Sequence, residues 1–206
     1  MKKISEEKMA EFNADFVKIF TSALGVGIVI LGYSYTHTFF RSFGLSLYQL
    51  KMEWIDILFR GITLIQDWRV AGVFAFSILL GSLLFSIRNL VGSATKVLIV
   101  SFTVFGFLLL ATWGGQALGY THARAIWAHG AGKVAFCRID DSDAALKPLV
   151  DKINALSLKQ KIRLIHQSKE QTHLAPVFEK IATNQTTGEA YVIPTKSIIY
   201  CRVIGS

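Results

Sequence analysis

Three long apolar runs interrupt an otherwise mixed sequence. Phe16 to Tyr35 spans about 20 residues with Lys18 as its only charge, long enough to cross a hydrocarbon core of ~30 Å as a helix. Residues 70 to 87 carry no charge across 18 positions, and Val97 to Tyr120 carry none across 24. Each predicts a membrane span. Residues 1–15, MKKISEEKMAEFNAD, are too long and too acidic for a signal-peptide leader and read as an amphipathic cytoplasmic segment.

Ser46 to Asp67 is patterned differently. Its polar residues Ser46, Gln49, Glu53, Asp56, Arg60, Thr63 and Asp67 recur at spacings of three and four, forming one narrow stripe on a helix whose remaining surface is apolar. Such a helix lies in the membrane interface or inserts with its stripe turned toward other helices or water. Within the stripe, Gln49, Glu53, Asp56, Arg60 and Thr63 form an intramembrane polar candidate site, in which Asp56 and Arg60 can neutralise each other across one helical turn.

Lys and Arg counts bear on orientation. With three spans and the N-terminus inside, six basic residues fall on the inner side and seven on the outer. If residues 46 to 66 also cross, the division becomes eight inside against three outside. The expectation is therefore four spans, with three as the alternative, and both termini in the cytoplasm of a bacterial inner membrane. Cys137 and Cys201 test this choice: they should pair in an oxidising compartment and stay reduced as buried fillers in the cytoplasm.

The last apolar run continues as helix-compatible sequence to His129, where Gly130 and Gly132 supply a stop. Along it Ala111, Gly115, Gly119 and Ala123 recur every fourth position, a stripe of small side chains that admits close approach of another helix. Two readings stand: a self-association face producing a homo-oligomer, or packing within one subunit. His122 and His129 lie seven apart on the same helix, a rise of ~10 Å that prevents them from sharing one metal ion.

After Gly132 the pattern shifts to short strands. VAFCRI, KIRLIHQ, HLAPVFEKI, EAYVIP and SIIYCRV read as strands, the second and third forming a hairpin about SKEQT. Lys147 to Leu156 reads as a helix opened by Pro148. The predicted fold is a mainly α membrane protein: a cytoplasmic leader over 1–15, a transmembrane bundle over 16–129, and a small soluble α+β domain over 133–206.

Composition agrees with membrane residence. Apolar residues make up 52% and charged residues 17%, with a mean hydropathy of +0.44, which excludes a disordered or disulfide-dense secreted chain. The net charge of +8 lies mostly outside the apolar runs. From residue 121 onward twelve Lys and Arg face seven Asp and Glu, and Lys159, Lys161, Arg163 and Lys169 form a basic cluster. A solvated face is its simplest role; lipid head groups or an acidic partner come next. No stacking aromatics are interleaved with these charges, so direct nucleic-acid binding is not expected. No GxSxG, HExxH, CxxC or Walker loop occurs, and Asp140, Asp141 and Asp143 lack the glycine and glutamate of a calcium loop. Neither enzymatic activity, cofactor nor metal is expected.

Tyr33, Tyr35, Phe39, Phe40, the Phe43-Gly44-Leu45 turn, Asp56-Ile57-Leu58 and Gly61 resemble a pattern in bacterial inner-membrane proteins with an aromatic turn after the first helix. Val192-Ile193-Pro194, Ile198 and Tyr200 resemble the terminal strands of such proteins. The membrane subunit of Kiwa-type anti-phage systems is one family of this kind. That resemblance implies a membrane oligomer paired with a cytoplasmic DNA-binding partner. Three functions are consistent with the sequence: a sensor or anchor that relays an envelope event to a cytoplasmic protein through the C-terminal domain, a pore-forming or channel-like effector, and a membrane immunity protein.

Overall fold

A sequence free of proline, charged over its first third and apolar after it, lets the first helix run far beyond the width of a bilayer. In the computed structural model, which describes residues 2–48, 50, 52–67, 70–77, 79, 93–140, 147–178 and 188–204, α1 covers Lys2–Arg41. Its 40 residues span about 60 Å at ~1.5 Å each. α2 covers Trp54–Ile65, α3 residues 70–77, α4 Ser93–His129 and α5 Lys147–Leu158. Five strands follow α4: β1 Val134–Ile139, β2 Ile162–Gln167, β3 Gln171–Pro176, β4 Tyr191–Pro194 and β5 Ile198–Ile204. The chain divides into two compact units, Met1–Thr36 with Glu53–Ala117, and His37–Met52 with Leu118–Ser206.

In the first unit α1 and α4 run parallel. Phe107 packs its ring on Gly27, and Gly115 meets Leu31, Ser34 and Tyr35, so both contacts advance in the same direction along the two helices. A Cβ at Gly115 would lie 2.7 Å from the Leu31 carbonyl oxygen and 2.9 Å from the Ser34 Cβ, so only glycine allows this approach. α3 runs the other way against α4. Phe74 meets Phe107 edge-on at 4.9 Å, while Ser77 lines a small apolar cavity with Ala23, Leu24, Thr103 and Val104. α2 crosses α1 backbone to backbone, with Gly61 against Ile28 and Gly32 against Ile57.

This arrangement differs from the expectation of four spans. Two helical segments, Thr21–Arg41 and Val100–His129, are long and apolar enough to cross a membrane among the described residues. The 46–66 segment is not one helix: residues 47 and 48 form a turn, Glu53 is an extended N-cap, and the 12 residues of α2 reach only about 18 Å. Four alternating spans would also make α1 and α4 antiparallel. Polar residues that line up on an ideal helix wheel carry no such meaning where the chain is not helical, which is why the periodicity misled.

In the second unit the strands form one antiparallel sheet in the order β4-β3-β2-β1-β5. Ala135, Cys137, Ile139, Ile162, Leu174, Tyr191 and Ile193 on one face bury Val150 and Ile153 of α5. Lys147 opens α5, and Ser157 near its end donates to the Ala135 carbonyl at 3.3 Å while accepting from the Cys137 N–H at 3.2 Å. Cys137 and Cys201 sit directly opposite on β1 and β5 and are joined by a disulfide.

The α1–α4 contact is directly testable. Gly115→Leu should destabilise the chain by about 1–3 kcal/mol, read as a lowered thermal midpoint in detergent. Gly114→Leu, beside it but with nothing within 4 Å of a Cβ, should leave the midpoint nearly unchanged.

Candidate functional site at the helix ends

Both long helices end inside the second unit, against the sheet face opposite α5. Alternation along β2 and β3 puts Ile162 and Leu174 toward α5 and turns Arg163, Ala175 and His173 to the other side. α4 terminates where Gly130 and Gly132 adopt positive φ of 66° and 88°, and the Gly130 N–H donates to the Ile126 carbonyl at 3.0 Å. Arg163 then holds that end: its Nε donates to the Gly130 carbonyl at 2.7 Å and an η-nitrogen to the Gln160 carbonyl at 2.6 Å. A cation at a helix C-terminus is favourable because unpaired carbonyls gather there.

The end of α1 docks through aromatics. Phe39, Phe40 and Phe43 are buried, with Phe39 edge-on to both others at 5.1 and 5.4 Å. Gly188 closes the arrangement by donating its N–H to the Ser42 carbonyl at 2.6 Å, and its lack of a side chain admits the Trp127 ring, which a Cβ would meet at 2.8 Å. Trp127, on the last turn of α4, is fully buried, stacks edge-on with Phe178 at 6.3 Å and accepts the Phe178 N–H at 3.0 Å.

Between these helix ends and the hairpin lies a pair of imidazoles. The Ser168 hydroxyl accepts the Gln171 N–H at 3.0 Å and sets the turn that places His166 across from His173. The ring centroids are 5.8 Å apart, and Phe40 approaches His166 edge-on at 5.8 Å. His173 is 1% exposed, and its Nδ1 has no hydrogen-bond partner among the described residues. Burial pushes the His173 pKa below its ordinary value, and the charge of His166 beside it pushes in the same direction.

The residues singled out by sequence are dispersed. Gln49 lies outside the described residues; Glu53, Asp56 and Thr63 are exposed, and Thr63 donates its hydroxyl to the Phe59 carbonyl at 2.9 Å. Arg60 is half-buried and shares one side of α2 with Asp56 and Thr63, while Gly61 and Leu64 are buried on another side. Ala111, Gly115, Gly119 and Ala123 are all buried within the one chain, and Gly115 lies against α1. Lys159 and Lys169 are exposed at opposite ends of β2, roughly 20 Å apart at ~3.3 Å per residue, and Arg163 is committed to α4. Asp141 and Asp143 lie outside the described residues, and among the described residues no three His, Cys, Asp or Glu converge as a metal site. The histidine pair was not singled out from the sequence, although the predicted hairpin about SKEQT already set the two histidines near each other.

No protein-family model, curated protein or solved structure matches this chain.

A histidine with a depressed folded pKa loses stabilisation as pH falls, because below about 6.5 the unfolded chain takes up a proton that the folded site resists. The thermal midpoint should therefore drop by a few degrees between neutral and mildly acidic buffer. His173→Gln should remove most of that slope, as followed by thermal melts across pH.

Proposed function

We propose that this chain is a non-enzymatic membrane sensor or anchor whose sheet domain lies outside the cytoplasm. Its helix ends would couple that domain to a cytoplasmic partner at the N-terminal end of α1. The observation that carries the reading is the shared docking of both helix ends, Phe40 of α1 and Trp127 of α4, in one domain. A displacement of the sheet then acts on two helices together. α1 continues for 19 residues before its apolar segment begins at Thr21, about 28 Å of helix on the opposite side.

Three crossings fit parallel α1 and α4, with the apolar run of residues 70 to 87 returning between them. One further feature supports the orientation: the Cys137–Cys201 disulfide suits an oxidising compartment. The partner surface thereby moves from the C-terminal domain, where the sequence suggested it, to the leader. The resemblance to defence-system membrane subunits is compatible with a sensor of envelope damage.

An alkaline phosphatase fused after Ser206 should be active, and one placed before Lys2 inactive; the reverse pattern contradicts the orientation. Deleting residues 2–15 should release a cytoplasmic partner captured by the full chain without removing the chain from the membrane. Retention of every partner contradicts the relay.

A further inference from the structure

The sheet face that receives the helix ends is covered over only part of its width. On β1, Ala135, Cys137 and Ile139 belong to the core beneath α5, so Phe136 and Arg138 point to the opposite face. The β1–β5 register sets Tyr200 across from Arg138, Arg202 across from Phe136, and Ile204 across from Val134, all on that same side. Over β2 and β3 this face meets Phe40 and Gly130 through His166 and Arg163. Over β1 and β5 it opens to the surface: Arg138 and Arg202 are exposed, Tyr200 is 56% exposed and Ile204 43%.

The geometry points to this β1–β5 half-face as a docking surface for anionic phospholipid head groups. Two guanidiniums interleave with a phenol and aliphatic side chains across adjacent strands. That alternation suits a membrane interface, where planar guanidinium forks bind phosphate oxygens, tyrosine sits at head-group depth and isoleucine reaches the acyl boundary. Direction supplies the second reason. Within the second unit the last residues of α1 and the last turns of α4 attach to this same face, so the segments that the span reading carries into the bilayer reach the sheet there. The inference rests on the reading of α1 and α4 as spans. Arg138 and Arg202 lie outside the basic cluster recognised in the sequence because their proximity depends on the β1–β5 register, not on closeness along the chain. The surface would hold the domain flat on the membrane, so that lipid charge sets the position of the helix ends.

Photo-crosslinking separates the possible occupants. The full chain is placed in nanodiscs of phosphatidylcholine with or without phosphatidylglycerol, with benzoylphenylalanine replacing Tyr200, Phe102 or Leu158 in separate preparations. Phe102 is 74% exposed on the apolar part of α4, and Leu158 is exposed at the end of α5 on the other side of the sheet. The expected result is lipid adduct at positions 200 and 102 and none at 158. Labelling at 200 should be several-fold stronger with phosphatidylglycerol and fall to the phosphatidylcholine level when Arg138→Gln and Arg202→Gln are combined. Lipid adduct at 102 with none at 200, or a chain-to-chain adduct at 200, overturns the lipid surface while leaving the spans intact. Equal labelling in the two lipid mixtures overturns the choice of an anionic head group. Absence of lipid adduct at 102 overturns the span reading and this inference with it.

Discussion

The close approach of α4 to α1 at Gly115 is the constraint on which the remaining architecture depends. Backbone meets side chain there without an intervening Cβ, and within a bilayer such contact is how helices gain dispersion energy when lipid offers no hydrophobic advantage. Because the neighbouring contact of Gly27 with Phe107 advances in the same direction, the two helices are parallel. Parallel neighbours in one chain need the chain to return between them. They also end on the same side, where a single domain can hold both.

That domain is small, and its core beneath α5 consists mainly of nine buried residues, so the helix ends contribute a second layer on its other face. Phe40, Phe43 and Trp127 act as the apolar filling of that layer, and Arg163 ties the last carbonyls of α4 to the hairpin. The disulfide links β1, which continues directly from α4, to β5 at the sheet edge. His173 sits within this layer as a group whose charging the packing opposes, which makes the junction sensitive to acidity.

Much of the local structure was legible because it depends on local rules. VAFCRI is a strand with the bounds its pattern suggests, Lys147 does open a helix, and the glycines at 130 and 132 do end α4. The segment around α2 was not legible: its three- and four-residue spacing imitates a spanning helix, but the turn at 47–48 and the short length of α2 break it. The stripe from Ala111 to Ala123 was visible as a packing face, yet its partner was not, since small residues suit contacts within and between chains equally. The aromatic turn after α1 was visible in the sequence, but what Phe39, Phe40 and Phe43 bury against was not. Long-range register, which brings Arg138 to Tyr200 and His166 to Phe40, has no short-range signature.

The parallel run of α1 and α4 is tested most directly by two interhelix distances measured on spin labels, one pair at Val26 and Phe105 and one at Tyr33 and Trp113, all exposed positions. Parallel helices predict that both distances are short and similar. Antiparallel helices cannot satisfy both: whichever pair is close, the other is displaced along the axis by roughly 20 Å, from ~1.5 Å of rise per residue. One short and one long distance would contradict the arrangement on which the three-span topology and the shared docking of the helix ends depend.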